Sequence, residues 1–543
     1  MTAAQKLSLR IDGETDDVNA EKRFNWIRGD RTNEGGGGLR KRTRLLGDIV
    51  NSSPVYAGGR DMRYSRLPVG GNSYNTFLVT KRGYAARIFV GANDGMFHAF
   101  ETDTLEPIFS YVPEGAYPKL ANLTFPSYGR SDNPHQYIVD GPVTVGDVFI
   151  DVDGNGTGEW RTIAVGSLGA GGRNVFALDV TDPDDAPKVI FELKYSATRN
   201  QALGQYPELG YVMGKPLIVP MKNNRWAVVF GNGSEAGSSH LFVVDVEDPY
   251  STRTKVISTG EGIGLSAPEL MPNGLGQVEW GYAGDLSGNI WKFDLFGDDE
   301  DDWDVAYKLF QAVDEDGNAQ PISAPPTLGR NALKDNAVMV YVGTGKYFDI
   351  SDNQTNASPI HSFYAIADIG TAVNIDRSNL HQKTIAETNG VRTVTNNEPD
   401  WAVDSGWYLD FNVESGEKIT IKALLLYDRL IFATLIPSDV PCNYGGTSWL
   451  MQVTAVGDKY TGNYLLDENI KNDYLILGDL GLGIIDDSGD DDDGSENEPD
   501  DGPCPDGTSP ATIVSSGSDG STSSRTVCLP GDALGRMTWR QLR

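Results

Sequence analysis

A glycine-led phrase recurs six times along the 543-residue chain, and each copy ends in a strand of mostly apolar residues. At spacings of 53 to 102 residues, the copies begin at Gly91, Gly166, Gly231, Gly284, Gly343 and Gly445. An apolar strand precedes each of the first five, so the pattern indicates a strand, a glycine turn and a second strand. Upstream of most copies lies another strand, opened by a small residue and proline. Units this small cannot bury their apolar faces alone, so they must stack.

Radial stacking of such units predicts an all-β chain folded as a modified seven-bladed β-propeller, with quinoprotein-like blades and loop insertions. Six blades is the alternative count. A pair of β-sandwich domains is the other alternative, but it does not explain why the same hairpin returns. The clear repeats span residues 47–100, 139–180, 213–246, 265–295, 322–368 and 407–455.

The remaining segments are assigned by composition. We predict one domain over 1–543, with the closing blade built from 456–543 together with the N-terminal segment. The polar stretch 371–402 is predicted to be an inserted loop. Residues 486–524 begin with ten acidic residues in sixteen and continue rich in Ser and Gly, which predicts a disordered insertion.

The net charge of −31 argues against a nucleic-acid partner and against adsorption to anionic lipid, because the basic run Arg40–Arg44 is short and isolated. No apolar stretch is long enough to span a membrane, since charged residues interrupt the best one, 423–436. The first residues lack the apolar core of a signal peptide. The sequence therefore fits a cytosolic protein or the mature part of an exported one.

The stretch 151–160, DVDGNGTGEW, has the side-chain rhythm of a calcium loop. Calcium takes six to eight oxygen ligands, and magnesium prefers a compact, water-rich octahedron. The loop departs from an EF-hand because Thr162 stands at position 12 and strands flank it. A solvated acidic turn is the alternative interpretation. The predicted Ca²⁺ ligands are Asp151, Asp153, Asn155, Thr157 and Glu159.

Three weaker motifs remain. The acidic stretches 314–318 and 298–302 lack the alternating spacing of a cation loop and are predicted to be exposed turns.

Arg28, Gly29 and Asp30 form an RGD tripeptide of the kind that integrins recognise, or an ordinary turn. Cys504 and Cys528 can close a disulfide, with Cys442 left over or pairing in place of one of them, and a disulfide would favour an oxidising compartment.

Catalytic patterns are weak, so we predict that the chain is not an enzyme. It has five histidines and none of the HExxH, GxSxG or P-loop patterns. A quinoprotein-like oxidoreductase is the alternative, because those blades use similar phrases. The adjacent cysteines that many of these enzymes place beside the quinone, and the CxxCH motif for haem, are not in the sequence.

The phrases together resemble the C-terminal domain of the PilC/PilY family of type IV pilus tip proteins, in order and over nearly the whole chain. They are NWIRGD at 25–30, LLGDIVNSSPVYAG at 45–58, VGANDGMFHAF at 90–100, GSLGAGGRNVFALDVTDP at 166–183, YAGDLSGNIWKFDL at 282–295 and CNYGGTSWLM at 442–451.

The resemblance implies a calcium-binding β-propeller from an exported protein at the pilus tip or outer-membrane surface. It implies roles in adhesion, in pilus extension against retraction and in twitching motility. The implied partners are minor and major pilins and a host receptor, an integrin or another. A non-adhesive scaffold for outer-membrane assembly is a further alternative.

One departure from the family pattern concerns calcium. The resemblance places the family's calcium loop just before YAGDL, where this chain has Met271, Asn273, Leu275, Gln277 and Glu279. Two carboxylate positions are now apolar, so we expect that site to be lost. We expect the Asp151 loop to have taken over its role.

Overall fold

The fold is taken from a computed structural model. The structure describes residues 2–530 apart from residues 12, 16, 37, 153, 354–358, 373–374, 389, 396, 439–444, 458–468, 473–475, 477–479, 485–507 and 519–521.

In the described part of the chain, successive stretches form separate sheets, six of which have four or five strands. The first three sheets are β1–β4 (Val55–Ala57, Arg87–Ala92, Met96–Glu101, Pro107–Tyr111), β5–β9 (Val143–Ile150, Glu159–Ser167, Asn174–Asp179, Lys188–Tyr195, Gln205–Tyr206) and β10–β13 (Leu217–Pro220, Trp226–Gly231, His240–Asp245, Lys255–Ser258).

The fourth sheet is β14–β17 (Glu269–Pro272, Val278–Gly284, Asn289–Asp294, Asp304–Gln311). The fifth has the order β18-β19-β20-β24-β21 (Thr327–Asn331, Ala337–Gly343, Ser362–Asp368, Gly406–Asp410, His381–Lys383), and β22 and β23 (Ile385–Thr388, Val391–Val394) form a hairpin. The sixth is β25–β28 (Leu424–Leu426, Arg429–Pro437, Gly446–Thr454, Ile470–Asn472), followed by β29–β31 (Gly481–Ile484, Thr508–Ser516, Thr522–Pro530).

In five of the six large sheets, strands that follow one another along the chain are spatial neighbours, and in the fifth sheet β24 lies between β20 and β21. The all-β prediction is confirmed. Each of the six predicted repeats contributes the central strands of one sheet. In the third sheet the glycine hairpin pairs Gly231 with Leu241 and Ala227 with Asp245 in antiparallel register. The recurring phrase therefore corresponds to the second and third strands of a sheet.

The glycine at the end of the second strand lies against the segment that leads into the next sheet. A β-carbon on Gly91 would lie 2.5 Å from the carbonyl oxygen of Val139, and one on Gly231 would lie 2.0 Å from that of Ser266. A β-carbon on Gly343 would lie 2.4 Å from the side-chain β-carbon of Ile419. Side chains larger than hydrogen are excluded at these positions because the contacting atoms belong to a packed strand entry.

Apolar faces of consecutive sheets form the core. One cluster joins the second and third sheets through residues such as Val165 and Phe230, and another joins the fifth and sixth through Tyr341 and Phe432. These side chains are between 0% and 1% exposed. Burial on this scale, at roughly 25 cal/mol per Å² of apolar surface, is what holds the stack together.

Among the residues that the structure describes, four α-helices and seven short 3₁₀ turns accompany the strands. The helices are α1 (Ala3–Ser8), α2 (Val18–Ile27), α3 (Gly71–Arg82) and α4 (Tyr117–Leu123). The 3₁₀ turns are Tyr64–Arg66, Glu114–Ala116, Gly169–Gly171, Gln201–Leu203, Glu300–Asp302, Ile350–Asn353 and Arg377–Asn379. Within the described part of the chain, no helix combines the length and apolar character needed to cross a membrane.

The N-terminal segment differs from its predicted role as part of a closing blade. The described residues before Val55 form two helices and no strand. Thr2 and Gln5 form a capping box on α1, and α2 buries Trp26 and Ile27 in a cluster with first-sheet residues such as Phe89. Local capping and this apolar contact favour helix over strand here.

Helix α3, inside the first repeat, is bound to the second sheet by a buried ion pair. Lys81 donates from Nζ to Oδ1 of Asp147 at 2.5 Å, and the Tyr74 hydroxyl donates to Oδ2 at 3.0 Å. Thr162 donates to the same carboxylate at 2.8 Å. The Asp147 side chain is fully buried, so these donors replace its lost water.

The predicted inserted loop and the predicted disordered insertion both contain strands. The stretch 371–402 includes β21 and the hairpin β22–β23, which is held by the fully buried Arg392. The Arg392 guanidinium lies 2.6 Å from Glu417 and 4.1 Å from the centre of the Trp449 ring. Within 486–524, β30 and part of β31 are strands whose Thr and Val residues suit a ladder, and residues 485–507 lie outside the described residues.

The chain divides into two compact units. One comprises Met1–Trp280 with Asp294–Val305, and the other comprises Gly281–Phe293 with Ala306–Arg543. The single-domain organisation and the count of seven blades stay predictions.

The contact between Gly231 and Ser266 predicts that an added methyl group destabilises the protein at Gly231 but not at a glycine with open space around it. Gly231→Ala should lower the free energy of unfolding by about 1–3 kcal/mol, because the new β-carbon meets backbone that cannot move aside. Gly274→Ala is the control, since its β-carbon would have nothing within 4 Å. Denaturant unfolding measures both variants, and equal stabilities would contradict the contact.

A buried histidine predicts acid sensitivity. Burial, with the Lys418 charge nearby, lowers the pKa of His361 from 6.5 to about 3. Below about pH 6.5 the unfolded chain therefore binds a proton that the folded chain excludes, and stability should fall by about 1.4 kcal/mol per pH unit. The free energy of unfolding, measured by denaturant at pH values between about 6.5 and 5, should show this slope. His361→Gln should flatten it, and the exposed control His135→Gln should not. An unchanged slope in His361→Gln would contradict the assignment.

Candidate metal centre

The Asp151 loop joins β5 to β6 at one end of the second sheet. The Asp151 carboxylate accepts hydrogen bonds from the backbone N–H groups of Gly154 at 2.9 Å and Gly156 at 2.7 Å. Gly154 and Gly156 have φ values of +72° and +83°, which glycine adopts without strain. The sequence thus winds the chain tightly around Asp151.

The other predicted ligands take different positions. Asn155 accepts a hydrogen bond from the Thr157 backbone N–H at 2.7 Å. Glu159 begins β6, and its carboxylate is hydrogen bonded to the guanidinium of Arg161. Asp153 lies outside the described residues. The structure therefore places Asp151, Asn155 and Thr157 in one turn, with Glu159 at its end.

A further carboxylate at this loop escaped the sequence analysis. Glu247 follows β12 of the third sheet, and its Oε1 accepts a hydrogen bond from the Asp151 backbone N–H at 2.9 Å. Arg225 lies 2.9 Å from Glu247. Because Glu247 is distant in sequence, only the stacking of the two sheets brings it to the loop.

The donor set fits a hard cation. Carboxylate and amide oxygens are the ligands that calcium prefers, and the loop offers both within one turn. Two interactions compete with a cation, namely the backbone N–H groups on Asp151 and the Arg161 contact with Glu159. Among the described residues, no group of three or more His, Cys, Asp or Glu side chains is arranged to hold a metal.

The turn at Met271–Glu279 is closed by its own polar groups. Asn273 Oδ1 accepts from the backbone N–H groups of Leu275 at 2.9 Å and Gln277 at 3.1 Å. The Gln277 side chain is buried, and its amide donates to the carbonyl oxygen of Met221 at 3.2 Å. Gln277 is thus directed into the protein, and the loss of a cation site at this turn stays a prediction.

The RGD tripeptide lies just after α2. Arg28 and Asp30 are exposed, and Gly29 has a φ of +104°. The side-chain and backbone hydrogen bonds from Thr32 lower the pKa of Asp30. The buried Arg42 donates a hydrogen bond to the carbonyl oxygen of Asp30 at 3.2 Å. This bond fixes the backbone of the turn to the protein interior. Integrin recognition by this motif stays a prediction.

The cysteine predictions fall outside what the structure describes. Cys442 and Cys504 lie outside the described residues, as does the side chain of Cys528. The disulfide therefore stays a prediction.

Comparison with known proteins decides the family. Residues 46–397 match the family described as the PilY1 beta-propeller domain. The chain belongs to the PilY1 β-propeller family. It is 34% identical over 517 residues to the type IV pilus biogenesis factor PilY1 of Pseudomonas aeruginosa strain PAK, covering 85% of this chain and 42% of that protein.

Two further comparisons agree. A PilY1 homolog of Xylella fastidiosa strain Temecula1 is 35% identical over 494 residues, covering 82% of this chain and 32% of the homolog. The crystal structure of the P. aeruginosa PilY1 C-terminal domain matches with a TM-score of 0.66 at 28% identity, covering 88% of this chain and 99% of that one. The predicted family and propeller fold are confirmed. The chain spans less than half the length of these curated relatives.

Proposed function

We propose that this chain is a calcium-binding, non-enzymatic β-propeller domain of a protein that acts in type IV pilus biogenesis. The observation that carries the proposal is the 34% identity, across 85% of the chain, to a relative named a type IV pilus biogenesis factor. In this proposal the parent protein is exported and is located at the pilus tip or at the outer-membrane surface. Its partners are minor and major pilins.

The finer roles follow from the same resemblance. We propose that the domain influences pilus extension against retraction, and hence twitching motility, and that it contributes to adhesion. The exposed Arg28 of the RGD turn supports a contact with a host receptor. The Asp30 carboxylate, which Thr32 engages, would have to exchange those hydrogen bonds for a receptor contact.

Calcium would order the Asp151 loop. Asp151, Asp153, Asn155, Thr157 and Glu159 would hold the ion, and Glu247 would support the loop from the third sheet. A cation supplies positive charge where carboxylates crowd, which relieves their repulsion and fixes the turn. Extracellular calcium modules bind at about 10⁻⁴ to 10⁻³ M, which suits a response to environmental calcium.

Calcium titration of the folded domain tests the metal proposal. About 10 mM calcium should stabilise the wild type by about 1–3 kcal/mol, following the binding relation for such affinities. The double variant Asp151→Ala with Asp153→Ala should lose that gain.

Removing two other carboxylates provides the charge control. Asp298→Ala with Asp301→Ala changes side chains that are 80% and 79% exposed. This variant should keep the calcium gain. Thermal unfolding with and without calcium separates loss of binding from loss of the fold. Equal stabilisation of the wild type and the Asp151 double variant by calcium would contradict the assignment of the Asp151 loop as the calcium site.

A deletion in the source bacterium tests the role in pilus biogenesis. The parent protein lacking this domain should give fewer surface pili and weaker twitching, with restoration by the intact gene. The number of surface pili is counted by electron microscopy, and twitching is measured from the diameter of the twitching zone. Normal pili and normal twitching would contradict the proposed role in pilus biogenesis. Normal pili with lost adhesion would indicate that the domain acts in adhesion alone.

A further inference from the structure

A cavity of about 710 Å³ lies between the N-terminal helices and the first sheet. Phe24 and Ile27 of α2 form one wall, Met96 and Phe100 of β3 form another, and Leu120 of α4 also lines it. Small-molecule sites occupy roughly 300–1,000 Å³ and have mostly apolar walls with a few placed polar groups. The size and walls of this cavity meet that description.

Two exposed leucines lie at the cavity. Leu45 and Leu46 line it, although they are 47% and 41% exposed. Leu45 is the residue that a β-carbon on Gly29 would approach, at 3.6 Å. A ligand that covered both leucines would remove adjacent apolar surface from water, which favours binding of an apolar chain.

One wall carries a connected row of polar side chains. Asp94 accepts hydrogen bonds from the backbone N–H groups of Gly47 at 2.9 Å and Met96 at 3.1 Å, which fixes its carboxylate. His98 Nε2 lies 3.1 Å from that carboxylate, and His98 Nδ1 lies 2.8 Å from the Ser110 hydroxyl oxygen. His98 is 6% exposed and Ser110 is exposed, so the row ends in a positioned hydroxyl group at the cavity.

Two donors at the cavity have no acceptor among the described residues. The Tyr117 hydroxyl oxygen accepts from the Gln5 amide at 2.9 Å, which leaves its own hydrogen for a ligand. Arg28 lines the cavity and is exposed. Its guanidinium lies 5.5 Å from the centre of the Phe24 ring, and no carboxylate of the described residues pairs with it.

We propose that this cavity binds a free medium-chain fatty carboxylate. Its alkyl chain would lie along Phe24, Met96 and Phe100, and its carboxylate would meet Arg28 and Tyr117. An unpaired cation beside an apolar cavity, in a chain of net charge −31, complements an anionic head rather than a cationic one. A neutral alcohol of the same length would satisfy the walls but not Arg28.

Calorimetric titration of the folded domain with octanoate, decanoate and decanol tests the proposal. Decanoate should bind more tightly than octanoate, because each added methylene that enters the cavity strengthens binding roughly fourfold. Decanoate should also bind more tightly than decanol. Arg28→Ala should weaken decanoate binding by about three- to tenfold and leave decanol unchanged.

Two further variants make the outcome decisive. Lys22→Ala removes the same charge from α2, the helix that Arg28 follows, at a position that does not line the cavity, and it should bind decanoate like the wild type. Met96→Trp should fill the cavity and abolish binding of both ligands, with thermal unfolding showing that the fold persists. Absence of decanoate binding, equal weakening by Lys22→Ala, or unchanged decanoate binding by Arg28→Ala would overturn the proposal. Binding to phosphatidylglycerol vesicles in place of free decanoate would also overturn it and indicate a membrane surface instead.

Discussion

The close approach between the end of one sheet's second strand and the entry to the next sheet governs the described fold. At Gly91, Gly231 and Gly343, a single methyl group would collide with backbone or branched side chain of the following entry segment. Glycine is required there because two packed elements meet with no space for a β-carbon. The glycine-led phrase in the sequence thus reports contacts between sheets as well as turns within them.

Elements inserted between the strands depend on buried charge. Lys81 brings α3 to Asp147 in the second sheet, and Arg392 brings the β22–β23 hairpin to Glu417. Breaking such a pair leaves one charge without solvent or partner, at a cost of roughly 3–5 kcal/mol. The acidic excess of the chain therefore includes carboxylates that are matched in the interior, besides those that are exposed.

The sequence predicted what its local pattern specifies and missed what distant contacts decide. The glycine phrases and the apolar strands beside them predicted the central strands of six sheets, and the seventh blade stays a prediction. The oxygen spacing predicted a calcium loop over 151–160, where the structure has a turn wound around Asp151. Helix α3 escaped because its buried face includes Lys81, whose partner lies 66 residues away. Glu247 escaped because it reaches Asp151 from another sheet, 96 residues along the chain. Neither partner leaves a signal near the residue it contacts.

The two candidate cation loops occupy the same place in their sheets. The Asp151 turn joins the first and second strands of the second sheet, and the Asn273 turn joins those of the fourth. The proposed move of a calcium loop from the fourth sheet to the second would therefore leave the architecture unchanged. Anomalous diffraction from a crystal of the domain soaked in terbium, which substitutes for calcium, tests this directly. The account predicts a peak within the Asp151 turn, and a peak at the Asn273 turn instead would contradict it.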